Sequence, residues 1–244
     1  MRVPKRLQRV ANYLWREWIK PIGLVAIIVV PLKSAVADWN WVPSGSMKPT
    51  ILEGDLVFVN KLAYDLKVPF TLQRLAEWDN PARGDIVVFF SPHDGTRLVK
   101  RVVAVPGDTI ELRNNVLLLN GKAMACESVN AQAYAKEIYE DARAVLAIEQ
   151  GAGRSHLVME LPSRRAARTF DSITVPAGKY FMLGDSRANR FDSRFWGFAE
   201  RKQIVGKANR VLLSFDKEPN GKKIPPKSFS GGAWRLMPAI VKYA

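Results

Sequence analysis

One long apolar run lies near the N-terminus, and short apolar segments separated by turn-forming residues follow it. Residues 21–32 (PIGLVAIIVVPL) carry no charge, and the stretch from Trp18 to Ala37, interrupted by Lys33, has about the length that a membrane-spanning helix needs. After Trp39 the apolar segments are short and rich in β-branched and aromatic residues, which is typical of strands. The pattern therefore predicts a mainly β domain on a single N-terminal transmembrane helix.

Turn signals bound several of the predicted strands. Pro106-Gly107-Asp108 ends one apolar run, and the dipeptide Asn120-Gly121 is a favoured hairpin turn. We predict strands in LVFVN (56–60), DIVVFF (85–90), LVKRVVAV (98–105), TIEL (109–112), VLLL (116–119), SITV (172–175), KYFML (179–183) and VGKANRVLLSF (205–215). The predicted fold class is mainly β, a coiled-sheet or barrel-like domain with a smaller inserted subdomain.

A change of composition marks the insertion. Residues 122–170 are richer in alanine and charge, and AYAKEIYEDARAVLAI (133–148) predicts a helix because Tyr134, Ile138 and Val145 fall at helical spacing. The proline-rich segment 217–227 is predicted to be a loop. The predicted division is a basic N-terminus (1–20), a transmembrane signal anchor (21–38), the first part of the β domain (39–121), the inserted subdomain (122–170) and the second part with the C-terminal tail (171–244).

The charge around the apolar run predicts its orientation. Seven basic residues and two acidic ones occupy residues 1–40, and basic residues ahead of the run favour a cytoplasmic N-terminus. Two other interpretations are a buried core helix and a cleaved secretory signal, for which Ala35-Val36-Ala37 offers an A-x-A site. Pro31 and Lys33 lie awkwardly at the end of the apolar region of a cleaved signal, so a retained signal anchor is favoured.

Composition excludes some classes of protein. A hydrophobic content of 48% over 244 residues permits a real core, and the single Cys126 excludes an intramolecular disulfide. The net charge of +14 invites a nucleic-acid interpretation, but beyond the N-terminus the basic excess is spread along the chain. Proximity to an anionic lipid bilayer explains the charge as well, so we predict the bilayer as a partner and no nucleic acid.

Residues 43–50 (PSGSMKPT) hold two serines beside a glycine, and a serine nucleophile needs a base that takes its proton. The chain has only two histidines, His93 and His156. His93 lies in the turn SPHDG and His156 lies in the insertion. No motif around either one positions a base, and both are interpreted as solvated loop residues. A Ser-His-Asp triad is therefore set aside.

Lysine is the remaining base, and Lys100 is the best placed because apolar residues flank it in LVKRVVAV. A solvent-facing lysine on an edge strand is the alternative. The catalytic interpretation requires burial, because a free lysine with a pKa of ~10.4 is deprotonated in roughly one molecule in several hundred near pH 8. Lowering that pKa to about 8 costs on the order of 3 kcal/mol, which desolvation can supply. Arg101 would point to the opposite face of the strand.

Four segments together resemble one enzyme family. They are PSGSMKPTILEGDLVFVNKLAY, RGDIVVF, LVKRVVAVPGDTIEL and GDSRANRFDSRFWGF, and in order and spacing they are similar to the motifs of bacterial type I signal peptidases, the Ser/Lys leader peptidases. The resemblance extends from Trp39 to about Lys217 and includes the preceding anchor. Its weakest part is the insertion.

The resemblance implies a role for each matched residue. Ser46 would be the nucleophile and Lys100 its general base, while the Ser44 side chain and the Ser46 backbone N–H would form the oxyanion hole. The substrate pockets would be lined by Val42, Met47, Ile51, Leu98 and Val99. Mostly structural roles around the dyad would fall to Gly184, Asp185, Asp192, Ser193 and Arg194, with an ion pair between Asp192 and Arg194.

Three positions depart from the family's pattern. Arg190 stands where a serine commonly hydrogen-bonds the lysine amine, so it would either repel the amine and lower its pKa or point elsewhere, leaving Ser193 to supply the hydroxyl. Ala188 replaces an acidic residue, and the lone Cys126 departs from members that have a disulfide in the subdomain. A catalytically inactive membrane-anchored binding protein is the alternative that Arg190 favours.

The function implied by the resemblance is a membrane-anchored serine endopeptidase that removes signal peptides from exported preproteins through an acyl-enzyme. Its substrates would be preproteins with small residues at positions −1 and −3, bound as an added strand beside residues 39–43 and 98–100. No cofactor or metal is expected. The enzyme would lie in the bacterial inner membrane with its catalytic domain on the periplasmic face. A specialised Ser/Lys processing peptidase of a conjugation or pilus system is the nearest rival.

Overall fold

The structure is a computed structural model that describes residues 13–129, 144–151, 154–162, 168–188 and 191–214. Within these ranges the chain is mainly β, which confirms the predicted fold class. The α-helices are α1 (Lys20–Val36) and α2 (Ser193–Trp196). The strands are β1 (Ala37–Trp41), β2 (Leu56–Asn60), β3 (Asp65–Lys67), β4 (Arg74–Glu77), β5 (Ile86–Phe90), β6 (Arg97–Ala104), β7 (Thr109–Arg113), β8 (Val116–Leu119), β9 (Lys122–Ala123), β10 (Ala125–Val129), β11 (Val145–Gln150), β12 (His156–Glu160), β13 (Phe170–Thr174), β14 (Lys179–Leu183), β15 (Ala199–Glu200) and β16 (Ile204–Leu213).

The N-terminal apolar run is helical. A π-helical turn, Trp15–Ile19, leads into α1, and together Trp15–Val36 are long and apolar enough to cross a membrane, judged by length and composition. Only 6% of the apolar window is buried, so the interpretation of a buried core helix is wrong. α1 ends at Val36 because Ala37 is already extended, with φ −148° and ψ 154°, and β1 begins there.

The largest sheet among the described residues is antiparallel and has seven strands in the order β1-β2-β16-β5-β6-β14-β15. The ten-residue strand β16 pairs with β2 on one side and with β5 on the other. The register shifts within β16 against both partners, and also between β14 and β6. Such irregularities bend a strand and increase its twist, which explains why the sheet curls into a half-barrel.

The two faces of this sheet pack against different apolar clusters, because successive side chains of a strand point in opposite directions. Val88 of β5 lies in a cluster with Met47 and Ile51, while its neighbours Val87 and Phe89 lie in another cluster on the other face. The fully buried side chains of the second cluster include Met182 and Ile204. The sheet therefore has a core on both faces, and the segment that carries Ser46 and Met47 belongs to only one of them.

A second sheet, in the order β13-β7-β8-β9, is closed by two tight turns. Asn120 and Gly121 have φ values of 52° and 75°, and Asn114 and Asn115 have values of 49° and 69°. Positive φ at both central residues defines the type I′ turn that suits a two-residue hairpin. The predicted strands and the predicted Asn120-Gly121 turn are therefore present.

The insertion contributes a third sheet, β10-β11-β12, to the described residues. The predicted helix over 133–148 is wrong for its last part, because Val145–Gln150 form strand β11, paired with β10 and with β12. β-branched Val145 and Ile148 suit this pairing, and tertiary contacts override the helical spacing. The remainder of that prediction, with Tyr134 and Ile138, and the predicted loop at 217–227 lie outside the described residues.

Candidate active site

Ser46 lies in a short 3₁₀ turn, Gly45–Met47, that follows β1. Met47 is fully buried in the apolar core and fixes the turn, and the backbone N–H of Ile51 donates to its carbonyl oxygen at 3.0 Å. Ser46 itself is 6% exposed, whereas Ser44 is extended and exposed. The turn thus holds one serine at the edge of the core and leaves the other open to solvent.

Lys100 lies in β6 of the seven-stranded sheet and is only 2% exposed. The alternative of a solvent-facing lysine on an edge strand is therefore wrong. Burial lowers the pKa of Lys100 to about 8, a change that Arg194 assists and that Asp192 and Asp185 oppose. An amine with that pKa is about half neutral at pH 8 and can accept a proton.

Gly184 is the point where the two candidate catalytic residues meet. A methyl group placed on Gly184 would lie 2.3 Å from the Ser46 carbonyl oxygen and 3.5 Å from Lys100 Nζ. The same segment holds the nucleophile turn, because the backbone N–H of Ser186 donates to the Ser46 carbonyl oxygen at 3.1 Å. The structure therefore brings Ser46, Lys100 and Gly184 into one site, and any side chain at residue 184 would crowd it.

Asp185, the residue after Gly184, forms a buried ion pair with Arg101. Asp185, 1% exposed, accepts hydrogen bonds from Arg101 Nε at 2.8 Å and from Arg101 Nη2 at 2.6 Å, and a further one from the Thr50 hydroxyl. Arg101 also donates to the Gly84 carbonyl oxygen at 2.9 Å. Arg101 and this hydrogen bonding hold the pKa of Asp185 below its ordinary value, although burial acts against them. Lys100 and Arg101 are adjacent, so they point to opposite faces of β6.

Asp192 and Arg194 form the expected ion pair, with distances of 2.9 Å from Nε to Oδ1 and 2.7 Å from Nη2 to Oδ2. Asp192 also caps α2 by accepting a hydrogen bond from the Arg194 backbone N–H at 3.1 Å. Ser193 Oγ accepts a hydrogen bond from the Met182 backbone N–H at 2.8 Å, which ties α2 to β14. Ala188 is buried, and Arg190 lies outside the described residues.

The predicted pocket residues do not all lie together. Val42, Met47 and Ile51 belong to one buried cluster, and Val99 packs against it. Leu98 packs instead against the cluster that contains Phe89, on the other face of the sheet. The alternation of side chains along β6 explains the separation of Leu98 from Val99.

Two strand edges next to the site are unpaired within the described residues. β14 pairs with β6 only from Arg101 onward, so residues 97–100 pair with β5 alone. β1 is the edge strand of the sheet. An ion pair between Arg97 and Asp38, at 2.8 Å, links β6 to β1. The two free edges thus lie near each other beside Ser46 and Lys100.

The structure corrects one of the two histidine interpretations. His93 is exposed in its turn, with its ring 5.4 Å from that of Phe195. His156 is not a solvated loop residue: it starts β12, is 7% exposed, and its Nε2 lies 3.4 Å from Glu149 Oε2 and 3.9 Å from Asp185 Oδ1. Sequence reasoning missed this cluster because Asp185 is far along the chain from Glu149 and His156, and no local pattern marks His156 as buried.

Comparison with known proteins assigns the chain. The sequence profile described as signal peptidase, peptidase S26, matches residues 15–213. The chain belongs to this family. The signal peptidase I of Pseudomonas fluorescens is 34% identical over 224 residues, which cover 86% of this chain and 76% of that relative. The signal peptidase I of Aquifex aeolicus is 32% identical over 233 residues, covering 82% and 84%.

Among solved structures, a signal peptidase I from Enterococcus faecalis is 32% identical, covers 53% of this chain and 97% of its own, and gives a TM-score of 0.33. The assignment rests on the sequence matches. Membership of the signal peptidase family confirms the resemblance predicted from the sequence, and makes the chain a serine peptidase of the kind that removes signal peptides. In the described part of the chain, no group of three or more His, Cys, Asp or Glu side chains is placed to hold a metal ion.

Proposed function

We propose that the chain is a membrane-anchored signal peptidase in which Ser46 is the nucleophile and Lys100 is the general base. One observation carries the proposal: the Lys100 amine is buried, and Gly184 lies against both this amine and the Ser46 carbonyl. The two residues are 54 positions apart in the sequence, so only the fold brings them together. No histidine takes this position.

The lowered pKa of Lys100 supports its role as a base. At an ordinary lysine pKa of ~10.4, roughly one amine in several hundred would be neutral near pH 8. Burial lowers the pKa of Lys100 to about 8, so the neutral fraction rises to about one half. Within the described residues, Lys100 makes no ion pair that would hold its proton in place.

The reaction then follows in two stages. Ser46 Oγ attacks the scissile carbonyl as Lys100 Nζ takes the hydroxyl proton, and the ammonium then donates that proton to the departing amine of the mature chain. The acyl-enzyme is left as an ester on Ser46. A water molecule gives its proton to Lys100 and attacks the ester, and the signal peptide leaves as Ser46 regains its hydrogen.

Ser44 and the Ser46 backbone N–H are the proposed oxyanion donors. Ser44 is exposed and extended, two residues before the nucleophile, so its hydroxyl is free to turn toward a substrate bound at Ser46. A side-chain donor of this kind is worth about 3–4 kcal/mol in related acyl transfer. The Ser46 carbonyl cannot compete for the same space, because it accepts a hydrogen bond from the Ser186 N–H.

The substrate binds as an extended segment between β1 and the free edge of β6. Neither the outer edge of β1 nor residues 97–100 on the side away from β5 has a neighbouring strand among the described residues, and β-strand addition gives affinity that depends little on the substrate's side chains. The pocket is formed by Val42, Met47, Ile51 and Val99, whose burial leaves little depth for a substrate side chain. Small residues at positions −1 and −3 fit a shallow apolar pocket of this kind.

The helix Trp15–Val36 is the proposed anchor in the bacterial inner membrane. Basic residues precede it, which favours a cytoplasmic N-terminus and a catalytic domain on the periplasmic face. Carbonate washing of membranes should leave the full chain in the pellet. Protease added to spheroplasts should digest the catalytic domain and spare an N-terminal tag, and the reverse pattern would contradict the orientation.

Two single substitutions test the dyad. Purified Ser46→Ala and Lys100→Ala should fold as the wild type does and cleave a preprotein at least about 10³-fold more slowly. Matched controls are Ser128→Ala and Lys202→Ala, which alter an exposed serine in β10 and an exposed lysine, and these should keep full activity. Product release is followed on gels and the cleavage point by mass spectrometry. Substantial activity in either dyad variant would overturn the assignment.

A further inference from the structure

The inserted sheet is hydrogen-bonded directly to the segment that holds the nucleophile. The Met159 N–H of β12 donates to the Asp185 carbonyl at 2.8 Å, and the Arg187 N–H donates to the Met159 carbonyl at 2.7 Å. Between these two bonds, the Ser186 N–H turns the other way and donates to the Ser46 carbonyl at 3.1 Å. Residues 184–187 therefore contact the inserted sheet on one side and the candidate dyad on the other.

Charged side chains reinforce the same junction. Arg187 pairs with Glu149 of β11, and both are buried, with exposures of 9% and 1%. Asp185 pairs with Arg101, as described above. The ring of His156 lies between these two pairs, and its Nε2 approaches one carboxylate of each.

His156 Nε2 is buried and has no hydrogen-bond partner among the described residues. Its other ring nitrogen, Nδ1, lies 3.2 Å from the Arg154 carbonyl oxygen. A buried polar atom without a partner is costly, so its position calls for an explanation. The oxygen atoms that face Nε2, on Glu149 and Asp185, only accept hydrogen bonds, and an Nε2–H would point between them.

We propose that His156 is a positioning residue that ties the inserted sheet to residues 184–187 and so keeps Gly184 closed over the Lys100 amine and the Ser46 backbone. The inference rests on the Ser46–Lys100 dyad proposed above. It gives the inserted sheet a part in the reaction, although none of its described residues is proposed to touch the substrate.

Movement of residues 184–187 would change the pKa of Lys100. Desolvation is the largest cause of the lowered pKa of Lys100, and Gly184 is one of the groups that exclude water from its amine. If residues 184–187 move away, water reaches the amine and its pKa rises toward the ordinary lysine value. The enzyme then loses activity at neutral pH and regains it at alkaline pH. A fault in folding alone would lower activity at every pH.

The ring does not need a charge to act in this way. Burial lowers the pKa of His156, and Arg101 and Arg187 act in the same direction, while Asp185 and Glu149 oppose them. His156 is therefore neutral at the pH at which Lys100 becomes a base. With the hydrogen of the neutral ring on Nε2, that N–H faces Glu149 Oε2 at 3.4 Å and Asp185 Oδ1 at 3.9 Å, and Nδ1 is left without a hydrogen toward the Arg154 carbonyl oxygen.

The test measures kcat and KM against pH for the full-length chain in detergent. For His156→Leu, which removes the donor and fills its space, we expect the kcat inflection to move up by about one pH unit from about 8. At pH 7.5 this is about a tenfold loss in kcat with KM unchanged, recovered near pH 10. His156→Gln keeps an amide N–H near the place of Nε2, and its inflection should stay within about 0.3 unit of the wild type.

Val145→Ala is the matched control, because Val145 lies in the same sheet and is 47% exposed, and its profile should be unchanged. A uniform loss of kcat in His156→Leu with no shift would overturn the inference, as would equal shifts in the Leu and Gln variants. If His156→Leu fails to fold, as judged by circular dichroism, His156→Asn replaces it, since its shorter side chain cannot reach Asp185. Activity in Lys100→Ala would instead contradict the dyad, so the two failures are distinguishable.

Discussion

Two of the buried lysines, Lys100 in β6 and Lys67 in β3, have different surroundings. They are 2% and 4% exposed, and burial lowers the pKa of each. Lys67 Nζ pairs with the Asp65 carboxylate and donates to the Val205 carbonyl oxygen at 3.2 Å, and these contacts with Asp65 act against the effect of burial. Lys67 is therefore held as a structural cation.

Lys100 lacks such a partner within the described residues. The carboxylates of Asp192 and Asp185 raise its pKa from a distance, while each is engaged by an arginine, Arg194 and Arg101 respectively. The comparison teaches that burial alone does not make a base. A lysine becomes one when the nearby carboxylates are already paired with arginines, so that desolvation outweighs their opposing effect on its pKa.

The largest difference in kcat should appear when the amine of Lys100 and that of Lys67 are removed in separate variants. Lys100→Met should lower kcat by about 10³-fold or more while the fold is kept, because a general base contributes 10²–10⁴-fold and no other group replaces it. Lys67→Met should leave kcat within about threefold and lower stability instead, since it removes one partner of a buried pair. Preprotein cleavage and urea unfolding measure the two outcomes. A Lys67→Met enzyme as inactive as Lys100→Met would break the comparison.

The next largest effect concerns two glycines that have no room for a side chain, Gly184 near Lys100 and Gly206 near Lys67. A methyl group on Gly184 would lie 2.3 Å from the Ser46 carbonyl oxygen, and one on Gly206, beside Val205, would lie 2.5 Å from the Asn60 carbonyl oxygen. Both substitutions to alanine force the backbone to shift. Gly184→Ala should cost about 10²-fold in kcat, because displacing catalytic groups by about 1 Å has that effect.

Gly206→Ala is the control for this displacement. It should lower the free energy of unfolding by about 1–3 kcal/mol and leave kcat per folded molecule unchanged. An acylating serine probe counts the folded active sites in both variants. Equal losses of kcat per active site in the two variants would show that crowding near the dyad has no special consequence.

A smaller effect should appear in the pH dependence of stability. The folded-state pKa of Lys100, about 8, is below its unfolded value of ~10.4, so between these values the unfolded chain binds more protons. Stability should therefore rise with pH across this window, by about 2 kcal/mol between pH 7.5 and 9.5, and the gain is absent below pH 8. Urea unfolding of the wild type minus that of Lys100→Met isolates this contribution. A difference that stays flat with pH would mean that Lys100 is not desolvated.

The smallest effect should be the influence of Lys67 on the base. In the wild type, kcat should fall as pH falls through about 8, because Lys100 gains its proton there. The charges that act on Lys100 are those of Asp192, Arg194 and Asp185, and Lys67 is not among them. Lys67→Met should therefore move the inflection by less than about 0.2 unit. A shift of a full unit would show that the two lysines titrate together.

Local pattern predicted most of the fold, because each strand is a short apolar segment with turn residues at its ends. The helix predicted to reach Val145 is wrong there since pairing of β11 with both neighbours outweighs spacing along the chain. The apolar residues around Lys100 indicated it as the candidate base, the family resemblance added Ser46 as its nucleophile, and their proximity required the fold. Their catalytic roles stay a prediction.

The buried cluster between the inserted sheet and residues 184–187 could not be predicted from the sequence. Glu149, His156 and Asp185 come from three separate segments, and nothing local marks His156 as buried. The separation of Leu98 from Val99 depends on which face of β6 meets which cluster, and a one-residue change of register would exchange them. Contacts between distant segments decide both features.

The helix α1 passes into β1 without a linker, since Val36 ends one and Ala37 begins the other. Ser34 is braced there, with its carbonyl accepting from Lys61 Nζ at 2.7 Å and its hydroxyl accepting from the Phe70 N–H at 2.9 Å. In the proposed anchoring of α1 in lipid, this braced joint would set the height and the orientation of the cleft above the bilayer. The scissile bond would then be selected by its distance from the lipid surface as well as by its neighbouring side chains.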